Sequence, residues 1–224
     1  MGNKLNTVKM STDGSAHNAE RTYHHGELRA ALIAATDAIL RERGIEGFSL
    51  REAARRAGVS PAAPAHHFGK ASGLLTEVAL LGYADLRSYL QRADPNGSPA
   101  ARLRSLAREY VLFALDHPGR FRLMFRKDLI HRDDPRYREA SHTALTCFAD
   151  AAAAHAGTTR EAMFARQAFG PVLAVWSTAH GIAHLALEDK FAALVHGPDP
   201  RRDFTDRLLP DLLLAQWPEG QSLP

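Results

Sequence analysis

The sequence predicts an all-α protein of about nine helices. Apolar residues recur at intervals of three and four along most of the 224-residue chain, which is the spacing of helices with one buried face. Helix-starting Ser-Pro and Asp-Pro pairs alternate with Gly- and Pro-containing breaks, and no run of alternating β-branched residues predicts a strand. A composition of 45% hydrophobic and 24% charged residues is that of a globular protein.

The N-terminal 43 residues predict an arm followed by one helix. Residues 1–20 are polar and lack periodicity, so we expect a disordered arm there. After it, helical spacing appears and continues up to Gly44, carried by Leu28, Leu32, Ala35 and Ile39.

Two short helices are predicted next. Ser49 and Glu52 have the spacing of a capping box, in which each side chain bonds a backbone N–H of the other residue. The helix that they open ends at Gly58. Ser60 and Pro61 predict the start of the next helix, as its cap and its first residue.

The remainder of the chain predicts six longer or intermediate helices. Caps and breaks place them at about 72–92, 99–116, 118–125, 135–155, 159–187 and 202–216. We expect a helical domain over 71–216 after an N-terminal domain over 21–70, with a tail at 217–224.

The cysteine count and the distribution of apolar residues exclude several classes of protein. The single cysteine, Cys147, excludes an internal disulfide framework and a multi-cysteine zinc site. The first residues have no apolar signal region, and no stretch offers about 18 consecutive apolar residues. We therefore expect a soluble, cytoplasmic protein.

The net charge of +3 is concentrated in the first third of the chain. Residues 1–70 carry 10 Lys and Arg against 7 Asp and Glu, whereas residues 71–224 carry 18 against 18. A positive excess confined to one segment favours contact with a polyanion over an evenly charged enzyme.

The short helix pair in that segment has the design of a helix-turn-helix. Ala54 is small where the second helix must pass closely, Gly58 permits the sharp turn, and Val59 provides an apolar contact after it. The second helix would enter the major groove of DNA, with Arg51 and Lys70 binding phosphates. The groove-facing residues would be Ser60, Pro61, Ala62, Ala63, His66 and His67. The alternative is a pair of packed core helices, in which His67 lies against its own domain.

The sequence resembles the TetR family of bacterial transcriptional regulators. The resemblance starts at 23–29, is strongest over 47–64, and continues through His67-Phe68 and 73–75. A further match, at 113–125 and at Trp176-Ser177-Thr178-Ala179-His180-Gly181, is similar to a subgroup with a Trp-His-Gly signature in its C-terminal domain.

This resemblance implies a homodimeric repressor of a palindromic operator. Its N-terminal helices would bind double-stranded DNA, and an effector in the C-terminal domain would separate the two DNA-binding units. Two residues depart from the family pattern, because Ala65 stands where a phosphate-contacting Tyr is usual and Ala71 where a Lys is usual. We expect weaker phosphate contacts, with Lys70 one residue earlier as a partial substitute.

The C-terminal half predicts an effector cavity and a dimer surface. We expect a largely apolar small-molecule effector that a few polar groups, such as His142, would orient. The residues expected to contact it are Tyr110, Phe113, Phe121, Met124, Phe125, Phe148, Trp176 and His180.

The helix over 159–187 is apolar on several sides, with Gly170, Ala174 and Gly181 small enough for close approach of another helix. With the last helix it predicts a four-helix bundle across a two-fold axis, formed by Val172, Val175, Ala179, Leu208 and Leu212. A monomer that buries both helices is the alternative.

Other functions have weaker signals. His180 and His184 have a chelating spacing but no evident third ligand, and Asp133-Asp134-Pro135 is typical of a helix start, so we expect no metal, no cofactor and no catalytic residues. No phosphate loop or nucleophile elbow is present. An activator, a DNA-coating protein, and an all-α binding protein or enzyme with a weakened DNA-binding unit remain as alternatives, and a redox role for Cys147 is a minor one.

Overall fold

A computed structural model of the chain describes residues 15–165 and 167–220, and in this part every regular element is helical. The all-α prediction is therefore confirmed. The α-helices are α1 (Ser15–Arg43), α2 (Leu50–Arg56), α3 (Ala63–Phe68), α4 (Ala71–Leu90), α5 (Pro99–Asp116), α6 (Pro118–Met124), α7 (Pro135–His155), α8 (Arg160–Ala165), α9 (Gly170–Leu187), α10 (Pro200–Asp203) and α11 (Leu209–Gln216). A π-helical turn over Phe204–Leu208 joins the last two, so 200–216 is one continuous helical segment.

The first helix begins earlier than expected. The predicted arm, residues 1–20, lies mostly outside the described residues, but the chain is already helical from Ser15. The prediction is wrong for 15–20 because adding residues to an existing helix avoids the cost of nucleation, so even polar residues can extend it. The predicted end is confirmed, since α1 stops at Arg43 and Gly44 has φ = 67°.

Helices α1–α3 and the first turns of α4 enclose a small core of their own. Its fully buried residues are Leu32, Ile39, Ala53 and Leu74, and half-buried Phe48, Val59 and Phe68 pack around them. This core fixes α2 and α3 against α1, so the N-terminal unit has a defined shape without help from α5, α7 or α9.

Only one of the two hydrogen bonds of the predicted capping box forms at the start of α2. The Glu52 backbone N–H donates to Ser49 Oγ at 3.1 Å, as expected. The Glu52 carboxylate does not return to the Ser49 N–H, because it accepts hydrogen bonds from Arg55 and Arg56 at 2.8–2.9 Å. Charged donors form stronger hydrogen bonds with a carboxylate than a neutral backbone N–H does.

Removal of this cap gives a first test of the N-terminal unit. Ser49→Ala leaves the Glu52 N–H without its acceptor, and we expect the free energy of unfolding to fall by about 1 kcal/mol. Ser49→Thr is the matched control, because its hydroxyl can accept the same bond. Urea unfolding of the two variants measures the difference, and equal stability of Ser49→Ala and the wild type would contradict the role of the cap.

Two backbone hydrogen bonds from the α2–α3 turn cap the C-terminal end of α2. Val59 N–H donates to the Ala54 carbonyl at 3.0 Å, and Gly58 N–H donates to the Arg55 carbonyl. Gly58 has φ = 68°, the left-handed conformation that such a cap requires and that glycine adopts without strain. Ala54 is 1% exposed, as expected for a small residue where two helices pack.

Helix α3 starts later than the sequence suggests. Ser60 and Pro61 form a turn, the Ala63 N–H donates to the Ser60 carbonyl at 3.0 Å, and the helix runs from Ala63. Ala62 occupies the cap position, and no side chain caps the helix. This start places Pro64 in the first turn, where its missing N–H has no helical partner to lose.

The larger C-terminal unit is organised around α5, which packs against α4, α7, α9 and α11. Its capping residues are as predicted, since Ser98 Oγ accepts from the Ala101 N–H and an Asp134 carboxylate oxygen accepts from the Arg136 N–H. Phe113, Phe121 and Met124 are fully buried in its core. No helix in the described part of the chain is both long enough and apolar enough to cross a bilayer.

Two predictions for the C-terminal unit are corrected. The helix expected over 159–187 is interrupted between α8 and α9, since Gly170 and Pro171 start a new helix and Gln167 has φ = 52°. The segment assigned to a tail is packed where it is described. Trp217 is 1% exposed, and Arg104 bonds both its carbonyl oxygen and the Glu219 carboxylate.

Candidate nucleic-acid interface and ligand cavity

The residues predicted to contact DNA lie on the first turn of α2, in the α2–α3 turn, on α3 and, for Lys70, at the start of α4. Six of them are exposed: Arg51, Ser60, Pro61, Ala62, His66 and Lys70. Ala63 and His67 are half-buried. Between Ser60 and His66 the chain has only alanine and proline, so no bulky side chain there holds the start of α3 away from a surface.

Arg51 and Lys70 are the cations available to an anionic ligand here. In the described part of the chain neither forms an ion pair, whereas Arg55 and Arg56 are both bound by Glu52. Hydrogen bonds from these two guanidinium groups lower the pKa of Glu52 to about 2, so the carboxylate is ionised and paired with both arginines at pH 7. The positive charge of Arg51 and Lys70 therefore remains for phosphates.

The end of α3 is anchored by Phe68. Its ring packs in the core of the N-terminal unit, and the Arg29 guanidinium lies 5.4 Å from the ring centroid. The His66 and His67 rings are 5.2 Å apart and nearly perpendicular. Since His66 is exposed and His67 is half-buried against the Phe68 ring, His66 is the better placed of the two to contact a base edge.

A cavity of about 360 Å³ lies in the C-terminal unit among α4, α5, α7, α9 and the segment after α6. Tyr110, Phe125, Phe148 and Trp176, four of the predicted effector-binding residues, line it. The sequence had also suggested His142, which lines it as well. The other lining residues are Tyr83, Leu86, Lys127, Tyr137, Ser141, Ala144 and Leu145. The cavity falls within the range of about 300–1,000 Å³ typical of small-molecule sites.

Three other predicted effector-binding residues do not reach this cavity. Phe113, Phe121 and Met124 are each 0% exposed and belong to the surrounding core. Aromatic residues at helical spacing give the same sequence signal whether they line a cavity or fill a core, and only the packing of α5 against α6 distinguishes the two. We correct their assignment to core residues.

His180 supports the cavity from behind its wall. Its Nδ1 is hydrogen-bonded to the Tyr110 hydroxyl at 2.8 Å, and its ring lies 4.5 Å from the Phe125 ring. Burial, with a smaller contribution from His184, lowers the pKa of His180 to about 4. The imidazole is therefore neutral at pH 7, and it positions Tyr110 and Phe125 without adding charge. The described residues contain no group of three metal-ligating side chains.

The predicted dimer residues on α9 face the wrong way. Val172, Val175 and Ala179 are 4%, 0% and 0% exposed, because this stripe packs against α5 and α7 within the same chain. This stripe therefore offers almost no accessible surface to a partner chain. Leu208 and Leu212 are half-buried on the last helical segment and retain some accessible surface.

The opposite side of α9 is apolar and exposed. Leu173 is 50% exposed and Leu185 is 47% exposed, twelve residues apart on one side of the helix. Between them lie exposed Ala174, Ser177 and Gly181. We call these five residues the outer α9 face. Small residues flanked by leucines allow close approach of a second helix, and large exposed apolar side chains at helical spacing typically mark a protein interface.

Helix α6 connects the cavity to the N-terminal unit. At its start the Arg120 guanidinium donates to both carboxylate oxygens of Asp37 on α1, at 2.6 and 2.7 Å, and also to Asp85 on α4. Gly119 lies against the backbone of Leu40, where a Cβ atom would come within 2.7 Å of the carbonyl oxygen. Phe125, immediately after α6, lines the cavity. One short helix thus contacts both units, a link that the sequence pattern did not indicate.

A second cavity and the single cysteine lie elsewhere in the C-terminal unit. The cavity, of about 490 Å³, lies beside the end of α9 and the 3-10 turn after it, but its Arg201 is bound by Asp116 and its Asp199 caps α10. Cys147 is half-buried, and burial raises the pKa of its thiol, which disfavours the reactive thiolate. Neither feature contacts the N-terminal unit.

Two family models match the chain. One, for the tetR family of bacterial regulatory proteins, covers residues 32–78, and the other, for the tetracyclin repressor-like C-terminal domain, covers residues 103–212. Together they cover most of the N-terminal unit, from the second half of α1, and most of the C-terminal unit. Neither model tests the Trp-His-Gly subgroup. No curated protein sequence matches at a significant level.

Solved structures show the same fold. A protein of unknown function from Rhodococcus sp. RHA1 is 30% identical, over 87% of this chain and 97% of that chain, with a TM-score of 0.59. The putative regulatory protein SCO4313 is 24% identical, over 86% and 98%, with a TM-score of 0.61. AibR, solved in complex with isovaleryl coenzyme A and operator DNA, is 18% identical, over 85% and 98%, with a TM-score of 0.59.

Proposed function

The chain belongs to the tetR family of bacterial regulatory proteins, and we propose that it is a homodimeric repressor that releases its operator when a small molecule fills the cavity between α4 and α7. The observation that carries this proposal is the capped helix-turn-helix of α2 and α3, which leaves the start of α3 and two uncompensated cations exposed.

Binding to DNA would divide between two sets of residues. Arg51 and Lys70 supply phosphate contacts, which fix the position of the protein without reading sequence. The base-facing surface consists of Ser60, Pro61, Ala62, Ala63, His66 and His67. Small residues at the start of α3 let its backbone approach the floor of the major groove, and His66 can exchange hydrogen bonds with base edges.

Replacement of Arg51 by Ala tests the phosphate contact. We expect weaker binding to all DNA sequences alike and a slope of log K against log salt that is reduced by about 1. Binding curves at several salt concentrations, on operator and on random duplex, measure both quantities. Arg41→Ala is a suitable control, because Arg41 is an exposed arginine in the last turn of α1 and has no part in the proposed contacts.

The control defines the outcome that contradicts this contact. Arg41→Ala should keep the salt dependence of the wild type. If Arg51→Ala instead weakens operator binding alone and leaves the salt slope unchanged, Arg51 reads bases and does not bind phosphate.

A dimer is required because one α3 helix reads only half of a palindromic site. Two-fold symmetry places two such helices about 34–36 Å apart, one turn of the DNA. The outer α9 face, with the accessible parts of Leu208 and Leu212 on the last helical segment, provides the apolar surface for this contact. We therefore propose these residues as the interface in place of Val172, Val175 and Ala179.

Release would proceed through α6. A ligand that displaces Phe125 moves the end of this short helix, and the Arg120–Asp37 bonds transmit the movement to α1. Because α1 and α2–α3 share one core, the movement turns the N-terminal unit as a body and changes the distance between the two α3 helices. AibR, which has this fold and was solved in complex with isovaleryl coenzyme A and operator DNA, supports a ligand-responsive role.

The function is tested by a mobility-shift assay on the DNA that flanks the gene of this protein, at two salt concentrations and with and without a pool of metabolites. We expect one retarded species of dimer stoichiometry, weakened by salt and reversed by a component of the pool. Footprinting should protect one short palindrome. Spreading protection would instead indicate a DNA-coating protein, and the absence of any shift at low salt would reject the proposal.

A further inference from the structure

We propose that the effector of this protein is an amphipathic anion, with an apolar body inside the cavity and a carboxylate or other anionic group at its mouth bound by Lys127. This inference rests on the proposed function, since it assigns a chemical class to the ligand of the same cavity. It concerns recognition of the ligand by its charge, which membership of the family does not determine.

The lining of the cavity carries positive charge and no negative charge. Its twelve lining residues include one permanent cation, Lys127, and no Asp or Glu. The carboxylate nearest in sequence, Asp128, accepts two hydrogen bonds from the Arg126 guanidinium at 2.9 and 2.8 Å. Arg126 and Asp128 therefore neutralise each other, and in the described part of the chain Lys127 forms no ion pair. A cationic ligand would meet this ammonium group without any carboxylate to bind it, whereas an anion would be attracted.

The interior of the cavity offers little to a polar group. Phe125, Phe148, Trp176, Leu86 and Leu145 form an apolar wall. The Tyr137 hydroxyl already donates to the Met124 carbonyl at 2.7 Å, and the Tyr110 hydroxyl is bonded to His180. An apolar ligand body is therefore matched to the wall, because a polar body would lose its hydrogen bonds to water without replacement.

The polar side chains of the lining differ in their contact with water. Lys127 and His142 are exposed and Ser141 is half-buried, whereas the tyrosines Tyr83, Tyr110 and Tyr137 are buried. An anionic head group beside Lys127 would stay in contact with water while its apolar body is buried, which limits the cost of desolvating the charge. A free carboxylic acid and the thioester of an acid with a larger anionic carrier both fit this arrangement, since a carrier could extend outward past Lys127.

The experiment uses four probes with the same eight-carbon body: octanoate, octanamide, octylammonium and octanoyl coenzyme A. Calorimetry on the full-length protein measures the affinity of each. We expect octanoate, octanoyl coenzyme A or both to bind about tenfold more tightly than octanamide, the gain of one charge-assisted contact, and octylammonium to bind more weakly than octanamide. Preference between the free acid and the thioester then distinguishes the two sources of the anion.

The matched variants are Lys127→Gln and Lys190→Gln. Lys190 is an exposed lysine that lies after α9 and does not line this cavity. Lys127→Gln should abolish the preference for the anion while octanamide binds as before, and Lys190→Gln should keep the preference. A folded Lys127→Gln variant is verified by its unchanged operator binding.

Three outcomes of this experiment would overturn the inference. Equal or tighter binding of the neutral or cationic probe, an undiminished anion preference in Lys127→Gln, or no binding by any of the four probes would reject an anionic effector held by Lys127. Operator binding is measured in the same samples without probe. If the operator is bound and a neutral compound releases it, the repressor function stands and only the anionic class falls, whereas failure to bind any operator rejects the function itself.

Discussion

The double substitution Leu173→Asp with Leu185→Asp is expected to convert the protein from a dimer to a monomer and to lower its affinity for a palindromic operator at least about a hundredfold. The loss is this large because a dimer engages its second half-site as an intramolecular event, which contributes about 10²–10⁴ in affinity. A monomer keeps the helix-turn-helix and loses only that gain.

The physical reason lies in the outer α9 face. Leu173 and Leu185 are each about half exposed in the single chain, and full burial of a leucine contributes about 1.5–3 kcal/mol. In a two-fold contact each substitution acts twice, and a buried aspartate in each copy would have to be desolvated without a partner. Because both side chains point away from the core of their own chain, the monomer should remain folded.

Leu81→Asp is the matched control for this prediction. Leu81 is a 37% exposed leucine on α4, away from α9 and the last helical segment. Sedimentation of all three proteins gives their mass, to be compared with 24.5 kDa for one chain, and a mobility-shift assay gives operator affinity. A dimer that survives the α9 double substitution would move the interface elsewhere, and a wild type that sediments as one chain would refute the dimer.

The second large effect is expected from Arg120→Gln. This change removes the cation that binds Asp37 and Asp85 and leaves two carboxylates facing each other at the junction of α1, α4 and α6. Hydrogen bonds to charged groups contribute about 1.5–3 kcal/mol each when partly buried. We expect the free energy of unfolding to fall by about 2–4 kcal/mol, which is a large share of the stability of a typical domain.

The same change should also uncouple the two units. Because Arg120 holds α6 to α1, its loss should let ligand bind the cavity with little change in affinity while releasing operator less efficiently. Arg122→Gln is the control on the same helix, since its ion pair with Glu188 is about half exposed on both sides and should contribute less than about 1 kcal/mol. Urea unfolding and ligand titrations of the protein–operator complex measure the two effects. Equal responses of the two variants would exclude a coupling role for Arg120.

Local chemistry at the helix ends made most of the fold predictable. Ser49 and the helix-starting Ser98-Pro99 and Asp134-Pro135 pairs predict helix starts, and each of these polar side chains accepts a backbone hydrogen bond, because a cap depends on residues only two or three positions apart. Gly58 predicts the turn of a helix-turn-helix and has the positive φ that the turn needs. The start of α3 was misplaced because Ser60 and Pro61 are equally compatible with a turn and with a first helical residue.

The orientation of apolar faces was not predictable in the same way. On α9, Val172 and Leu173 are neighbours of similar hydrophobicity, yet the first is 4% exposed and the second 50%. When a helix is apolar on several sides, its sequence does not indicate which side packs against its own domain. Phe121 and Phe125 raise the same problem, since one is a core residue and the other lines the cavity.

The helical class, the caps and breaks between helices, and the family of the chain follow from the sequence alone, because these depend on neighbours along the chain and on short motifs. Four other properties follow from the packing of the helices: which aromatic residues surround a cavity, that Lys127 is the one permanent cation in its lining, that Arg120 links α6 to α1, and which side of α9 is exposed. Those properties arise from residues far apart in sequence, and the packing of several helices at once selects among faces that look alike in any one of them.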